Sequence, residues 1–260
     1  MIIARRLFFA TLALIVPLGG AAELKHDLYA CVNLSGQGSV MGRSGPLLSG
    51  IYRTTDRENF EHLGPHHIRT FSMTYDPTDP ARLYIALLEG VLRSPDRGKT
   101  FRIVTGWDMT EGKSVSVDRQ QPESVYVGIP DGIAVSRDRG QTWKRMNDGI
   151  RRAYTESILV DRTTAGRVLA GTEKGIYLSE DGARSWRLVQ ATDKVTHSIR
   201  QSPHDPKLFF AVTSSDGALW STNRGVTWKR IPGISSERTL HNGEFDPRNP
   251  SRLVYCGWGA

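Results

Sequence analysis

The feature that most constrains the fold of this chain is a phrase of eight residues that recurs at almost equal intervals. It reads SPDRGKTF at 94–101, SRDRGQTW at 136–143, SEDGARSW at 179–186 and STNRGVTW at 221–228. Its first serines are 42, 43 and 42 residues apart, and RTTDRENF at 53–60 is a decayed copy that lacks the glycine. A fixed period of this length indicates a repeat architecture in which one structural unit recurs along the chain.

Other sequence features recur with the same period as this phrase. Each copy is preceded by a turn residue followed by glycine, at 89–90, 131–132, 174–175 and 216–217, and further upstream by an Asp- and Pro-rich phrase such as DPTDPARLY at 76–84. The segment that opens each period alternates apolar and polar residues, which favours a strand over a helix. In the second repeat, four short strands are expected at roughly 70–75, 82–87, 91–94 and 100–104. Four strands in each period of about 42 residues predict an all-β fold, a β-propeller of four-stranded blades.

The frame S-x-D-x-G-x-T-W resembles the Asp-box, or BNR repeat, of sialidases, sortilin-type receptors, some xyloglucanases and photosystem II assembly factors. The resemblance covers nearly the whole chain after its N-terminal segment, from about 48 to 258. In the resembling families the box is a structural turn on the face away from the active site, and the same repeat serves enzymes and non-enzymes. The resemblance therefore implies a structural role for the box residues Ser94, Asp96, Gly98, Phe101, Ser136, Asp138, Gly140, Trp143, Ser179, Asp181, Trp186, Ser221, Asn223, Gly225 and Trp228.

The number of blades is open at this stage. Inner strands are expected to begin near 70, 112, 156, 197 and 241, and third strands near 51, 91, 133, 176 and 218. If the C-terminal pair of strands completes the blade that GIYRTTDRENF begins, the ring has five blades. If LYACVNL at 28–34 is counted as a second strand, the chain has six blades with an incomplete first and last, or is a fragment of a longer propeller.

A propeller usually works at the mouth of its channel, where loops lead into the inner strands. The candidate binding face in these loops is basic and aromatic, and consists of His67, Arg69, Trp107, Lys113, Arg152, Tyr154, His197, Arg238 and His241. Five equivalent positions, Phe71, Lys113, Glu156, His197 and His241, are expected to ring the channel entrance. Such a mouth suits an anionic peptide, a glycan or an acidic partner surface.

Several catalytic and metal-binding readings are disfavoured. No histidine pair has tight metal-ligand spacing, so no metal is expected. Arg230-Ile231-Pro232 spells a sialidase motif but follows the fourth box, and the repeats are too short for long catalytic loops. No phosphate loop or nucleotide fingerprint appears in a credible context, so no cofactor is expected. We predict no catalytic residues, although a glycoside hydrolase of the sialidase-like group remains the alternative.

The N-terminal segment is predicted to be a secretory signal peptide of residues 1–22. Arg5 and Arg6 precede the apolar run LFFATLALIVPL, and small residues follow before a cut after Ala22. Export to the periplasm or the exterior is therefore expected, with no transmembrane segment after cleavage. Residues 23–47 form an N-terminal strand and a Gly/Ser-rich loop, and residues 48–260 form the propeller. The formal net charge is +7, spread over all repeats, which does not favour nucleic-acid binding.

The only cysteines are Cys31 and Cys256, near the two ends of the chain. An oxidising compartment permits a disulfide between them, and two buried free thiols are the alternative. Taken together, the sequence predicts an exported non-enzymatic propeller that binds another protein or a glycan at its channel mouth.

Overall fold

The strands of this protein form six antiparallel sheets in chain order. The structure is a computed structural model and describes residues 9–13, 27–33, 49–66, 68–151, 154–214, 216–237 and 239–258. Sheet 1 comprises β1 (Phe9–Ala13), β2 (Leu28–Asn33), β3 (Gly50–Thr54) and β4 (Glu61–Leu63). Sheet 2 comprises β5 (Thr70–Asp76), β6 (Asp79–Leu87), β7 (Gly90–Ser94) and β8 (Arg102–Ile103). Sheet 3 comprises β9 (Ser114–Val117), β10 (Val125–Ile129), β11 (Gly132–Ser136) and β12 (Lys144–Arg145).

Sheets 4 and 5 repeat this order, and sheet 6 has two described strands. Sheet 4 comprises β13 (Thr155–Val160), β14 (Val168–Thr172), β15 (Gly175–Ser179) and β16 (Arg187–Ala191). Sheet 5 comprises β17 (Thr196–Gln201), β18 (Phe209–Thr213), β19 (Ala218–Ser221) and β20 (Lys229–Arg230). Sheet 6 comprises β21 (Thr239–Phe245) and β22 (Leu253–Trp258). Throughout the described ranges, no segment is helical and none could cross a membrane as a helix.

The arrangement of the sheets is that of a β-propeller, which confirms the predicted fold class. The first strand of each sheet packs against the first strand of the next, from β5 through β9, β13 and β17 to β21. The prediction that LYACVNL contains a second strand is confirmed, because β2 lies between β1 and β3. The five-blade alternative is wrong, because it required β3 and β4 to complete the sheet of β21 and β22, whereas β3 pairs with β2.

The segment predicted as a signal peptide supplies a strand to this structure. Residues Phe9–Ala13 pair with β2 in register from Phe9 opposite Asn33 to Ala13 opposite Tyr29. In the full-length chain β1 therefore takes the place of an inner strand. Cleavage after Ala22 would remove β1 and leave that edge of β2 open.

Serine side chains join the inner strands of neighbouring sheets. The backbone N–H of Ile158 donates to Ser114 Oγ at 3.1 Å, and that of Ile199 donates to Ser157 Oγ at 3.0 Å. These serines are polar members of the alternating pattern in the sequence. Each serine accepts a hydrogen bond from a backbone N–H of the next sheet. The polar residues of the alternating pattern therefore join the inner strands of successive sheets.

The recurrent phrase forms the turn between the third and fourth strands. In the second sheet, the N–H of Gly98 donates to Ser94 Oγ at 2.8 Å. The N–H and the hydroxyl of Thr100 donate to the carboxylate of Asp96 at 2.8 and 2.7 Å. The same bonds recur in sheets 3 and 4, with Ser136 and Asp138 and with Ser179 and Asp181. In sheet 5 the backbone bonds to Ser221 and Asn223 recur, but the Asn223 amide donates to the Thr227 hydroxyl instead of accepting from it. The box is thus a locally closed turn at the end of the sheet remote from the Xaa-Gly hairpins.

Two successive residues in every full box adopt the left-handed conformation. In the third sheet these are Arg139 and Gly140, with φ of 58° and 79°. In the fourth they are Gly182 and Ala183, with φ of 75° and 70°. The displaced glycine of SEDGARSW therefore occupies the first left-handed position instead of the second. The decayed copy RTTDRENF is also a box, because the N–H of Arg57 donates to Thr54 Oγ1 at 2.9 Å.

The aromatic residue of each full box packs between its own sheet and the preceding one. Phe101 packs with Leu63 of sheet 1, Trp186 with Val135 of sheet 3, and Trp228 with Leu169 of sheet 4. Trp143 is half-buried between sheets 2 and 3. The apolar core is therefore divided into layers, each lying between two sheets.

The disulfide considered from the sequence is not formed. Cys31 and Cys256 are free thiols, Cys31 buried in β2 and Cys256 exposed in β22. They belong to the first and last sheets, and the strand pairs that pack extensively in the described part of the chain include none between these two sheets. Of the alternative, two buried thiols, only the Cys31 half matches the structure.

Candidate functional site

The candidate site is the channel mouth, where the inner strands begin. In four of the sheets a β-bulge interrupts the pairing at the start of the inner strand, and the residue left over is Phe71, Glu156, His197 or His241. In sheet 3 the equivalent residue is Lys113, whose N–H donates to Gly128 O at 2.8 Å just before β9. A bulge redirects the side chain that it carries. The five positions expected to ring the entrance therefore share one structural role.

Lys113 is the centre of one group of side chains. Its Nζ lies 4.1 Å from the centre of the Phe71 ring and 5.3 Å from that of the Tyr154 ring. The side chain is 12% exposed, and Nζ is 3.9 Å from the carboxylate of Glu111. The ammonium group is thus held between two aromatic faces by cation–π attraction.

Glu156 faces the same group. Burial raises the pKa of its carboxyl, and the nearby charge of Lys113 lowers it by less, so that the pKa remains above its usual value. The acid is therefore easier to protonate than an exposed glutamate.

The two histidines form a second group. The rings of His197 and His241 lie 5.0 Å apart, and His197 Nε2 is 2.6 Å from the hydroxyl of Ser214. Burial, followed by the neighbouring His241, lowers the pKa of His197 to about 4, and burial also lowers the pKa of His241. Both imidazoles are therefore neutral at pH 7, and Lys113 supplies the positive charge among the five bulge positions.

The remaining candidate residues lie in several places. Arg69 is exposed and its guanidinium lies 5.7 Å from the centre of the Phe71 ring, so it extends the Lys113 group outwards. Trp107 is 98% exposed, and its neighbour Asp108 pairs with Arg145 of the outermost strand β12 at 3.2 Å. Trp107 therefore stands at the rim of the molecule instead of at the mouth. His67, Arg152 and Arg238 lie outside the described residues.

The five equivalent positions Phe71, Lys113, Glu156, His197 and His241 carry one cation, one aromatic ring, two neutral imidazoles and one carboxyl, and Tyr154 adds a second aromatic face beside Lys113. Most glycoside hydrolases need two carboxylates that flank the scissile bond, one as acid and one as base or nucleophile. In the part of the chain that the structure describes, no three His, Cys, Asp or Glu side chains are grouped to hold a metal ion. The arrangement can bind an anionic or planar group.

A separate cleft of about 390 Å³ lies on the box face, between sheets 3 and 4. Arg137 lines it, and its guanidinium donates to Ser124 Oγ and to the Tyr126 hydroxyl, both at 2.9 Å. A third bond runs from Arg137 to the carbonyl of Gly182. Because these bonds tie the two sheets together, we interpret the cleft as part of the scaffold.

Sequence reasoning missed one partner at the mouth. Ser214 directly follows β18 and lies outside the loops that lead into the inner strands, yet its hydroxyl is hydrogen-bonded to His197. No sequence pattern links positions that meet only after folding. The equivalent positions of Phe71 and Glu156 could be predicted from the sequence, because each residue stands at the same distance before the Asp-containing turn phrase of its repeat.

The family described as Sortilin, neurotensin receptor 3, matches residues 131–232 of this chain. The matched range contains the boxes of sheets 3, 4 and 5. Comparison with curated proteins gives no significant match. The predicted resemblance to Asp-box propellers is confirmed by the family match together with the solved structures that follow.

Several solved propellers resemble this chain. The GH74 xyloglucanase from Xanthomonas campestris superposes with a TM-score of 0.68 at 15% identity, covering 88% of this chain and 41% of that one. The GH74 enzyme from Niastella koreensis gives 0.69 at 16% identity, covering 88% and 38%. The extracellular domain of a candidate one component system from B. thetaiotaomicron gives 0.63 at 15% identity, covering 85% and 29%. This chain thus spans about two fifths of the GH74 proteins, and at such identities the likeness concerns the fold.

Proposed function

We propose that this protein is an exported, non-enzymatic propeller that binds an anionic segment of a partner protein at its channel mouth. The observation that carries the proposal is the position of Lys113, held between the Phe71 and Tyr154 rings at the start of an inner strand. A cation fixed in this way is already ordered before a ligand arrives, so binding costs less side-chain entropy.

The charge at the mouth favours an acidic ligand. His197 and His241 are neutral at pH 7 because burial lowers their pKa values. Burial raises the pKa of Glu156, and the charge of Lys113 lowers it by less. Arg69, exposed beside Phe71, adds a second positive charge outside the first. Complementary charge would guide an acidic segment to the mouth and fix its orientation.

Export is part of this proposal. The apolar run of residues 7–18, preceded by Arg5 and Arg6, supports secretion with cleavage after Ala22.

The alternative is a carbohydrate-binding or glycoside-hydrolase role. Two of the similar structures are GH74 proteins, one of them a xyloglucanase. The aromatic faces of Phe71 and Tyr154 would suit a sugar ring as well as a peptide. Of the two carboxyl groups beside Lys113, Glu111 is paired with its ammonium group and only Glu156 stands at one of the five equivalent positions, so we favour binding as the form of this alternative.

Substitution of Lys113 by methionine separates these roles. Methionine keeps an apolar chain between the two rings but removes the charge. We expect the wild type to bind a poly-glutamate peptide in isothermal titration calorimetry, and Lys113→Met to weaken this binding about tenfold or more. Lys144→Met, on the exposed outer strand β12, is the matched control and should bind as the wild type does.

The opposite result is equally specific. Binding of xyloglucan oligosaccharides that Lys113→Met leaves intact, without binding of the peptide, would replace the proposal by the carbohydrate alternative. Release of reducing ends from the same oligosaccharides would make the protein an enzyme.

A further inference from the structure

One position in the repeat is buried in sheets 2 to 5 and exposed in sheet 6. It is the second-strand residue that faces the next sheet, namely Tyr84, Tyr126, Leu169 and Phe210 in sheets 2 to 5 and Val254 in sheet 6. The first four are at most 1% exposed, whereas Val254 is 55% exposed. The sequence of β22 is as apolar as that of the buried second strands, so its exposure is not a matter of composition.

The box turn of the following sheet covers this position elsewhere in the molecule. The hydroxyl of Tyr84 donates to the carbonyl of Arg139 in the next box at 3.0 Å. A Cβ on Gly225, in the box of sheet 5, would lie 2.3 Å from Leu169, which shows how closely this box approaches the Leu169 side chain. Val254 therefore has the place of a residue that a box turn should cover.

The first sheet carries a box turn on which no other described sheet packs extensively. Thr54 and Asp56 form the same local bonds as the full boxes, with Asp56 accepting from Thr54 Oγ1 at 2.9 Å. The aromatic residue of this box is Phe60, which is 48% exposed. Phe101, Trp186 and Trp228 hold the same place in later boxes and pack against the preceding sheet. One end of the arc thus offers an uncovered apolar residue, and the other end an unburied box aromatic.

The two faces of sheet 6 differ, because the face towards sheet 5 is partly packed. Phe210, Val212 and Ala218 of sheet 5 form a buried cluster with Leu240 and Phe245 of sheet 6. Trp220 lies opposite Phe210 on the same side of sheet 5 and is 41% exposed. Leu253 and Tyr255 of β22, beside this cluster, are 36% and 47% exposed. Because successive side chains of a strand point to opposite faces, these three residues lie on the gap between sheets 5 and 6, whereas Val254 points to the outward face of sheet 6. The outward face is thus a separate exposed surface, marked by Val254, and an exposed apolar surface can mark an interaction site.

We propose that a second copy of this chain covers this surface, with the box turn of its sheet 1 packed on the outward face of sheet 6. The two surfaces differ, so the contact is head to tail and can repeat from one copy to the next. Within one chain the described strands of sheets 6 and 1 do not pack extensively against each other. A second copy therefore supplies what sheet 6 lacks, and this inference does not depend on the function of the mouth.

A charge placed at either end tests the proposal on the full chain. Light scattering after size-exclusion chromatography should show the wild-type mass rising above the monomer between ~1 and ~100 µM. Phe60→Glu and Val254→Glu should each weaken association about tenfold or more. An equimolar mixture of the two variants should form dimers, because each variant retains the end that the other has lost. Leu188→Glu, at a 47% exposed apolar site on the outer strand of sheet 4, should behave as the wild type.

Three results would overturn the proposal. The first is a wild type that stays monomeric over this range, with Phe60→Glu and Val254→Glu both lowering Tm, since the ring would then close within one chain. The second is association that Val254→Glu abolishes but Phe60→Glu leaves intact, since sheet 6 would then pair with itself. The third is a mixture of the variants that stays monomeric. Circular dichroism checks folding, and Phe60→Ser and Val254→Ser replace any variant that fails to fold.

Discussion

In each box that contains an aspartate, the carboxylate accepts hydrogen bonds from its own turn. Asp138 accepts hydrogen bonds from the hydroxyl of Ser136 at 2.7 Å, the N–H of Thr142 at 2.8 Å and the Thr142 hydroxyl at 2.6 Å. Burial opposes the charged form, but these hydrogen bonds outweigh it and lower the pKa of Asp138 to about 2. We therefore propose a structural role for the carboxylates of the boxes. They look catalytic in the sequence, but their hydrogen-bonding capacity is used within eight residues.

Replacement of Asp138 tests this structural role. Asp138→Asn should change the free energy of unfolding by less than about 1 kcal/mol, because Asn223 in the fifth sheet accepts the same serine hydroxyl and backbone N–H and only reverses the direction of the bond to the threonine hydroxyl. Its amide donates to the hydroxyl of Thr227 at 2.9 Å. Asp138→Ala should cost about 1–2 kcal/mol, as the loss of a helix cap does. Urea unfolding measures both, and equal losses in the two variants would contradict the proposal.

The same variant predicts a dependence on pH. Because the pKa of Asp138 in the folded protein is about 2, below its unfolded value of about 4, its contribution to stability is present above pH 4 and is lost as the pH falls towards 2. Asp138→Asn should therefore lose less stability than the wild type over this interval.

Trp186, Trp143 and Trp107 differ in burial, so the effects of truncating them can be compared. Trp186 is 5% exposed and its indole N–H donates to Met146 O at 2.9 Å, Trp143 is half-buried, and Trp107 is 98% exposed. We expect Trp186→Ala to lower the free energy of unfolding by about 3–5 kcal/mol, Trp143→Ala by less and Trp107→Ala hardly at all. Thermal unfolding of the three variants gives the order. A stability loss for Trp107→Ala that equals the loss for Trp186→Ala would contradict the layered packing.

The inner strands are the elements that connect the sheets. Their apolar positions pack between sheets, whereas their serines accept backbone N–H groups across the gap. The alternation in the sequence predicts the strand and its two faces, because side chains of a strand point alternately to either side. It does not predict the partner of each serine, which lies about 42 residues away and is set by the stacking of sheets. No pattern in the sequence predicted the β-bulges themselves, although they occur at positions that follow the repeat.

Ser157→Ala tests the bond between sheets 4 and 5. Removing the hydroxyl leaves the buried N–H of Ile199 without its acceptor, which should cost about 1–3 kcal/mol. Hydrogen exchange of the Ile199 amide should become faster than in the wild type. Ser185→Ala, in an exposed part of the fourth box, should not affect that amide.

The two cysteines lie in the first and the last sheet, so their reactivity with a thiol reagent tests the structure at both ends of the molecule. Burial raises the pKa of the Cys31 thiol to about 11, so it stays protonated and unreactive, whereas Cys256 is exposed. Iodoacetamide at pH 8 should therefore modify Cys256 quickly and Cys31 only after unfolding. Peptide mapping measures the two rates. A linked peptide that contains both cysteines, found without reductant, would mean that sheets 1 and 6 meet.

The sequence by itself determined the repeat, the strands and the box turns, because each of these depends on residues that are close together in the chain. The spacing of the boxes located the inner strands of sheets 2 to 6 and the equivalent positions of Phe71, Lys113, Glu156, His197 and His241 at the starts of those strands. Only the tertiary structure decided how the sheets follow one another at the ends of the arc. Val254 and Tyr84 occupy equivalent places and are both apolar, yet one is exposed and the other buried. The reason is that burial between sheets depends on the presence of a neighbouring sheet, which no local pattern of residues records.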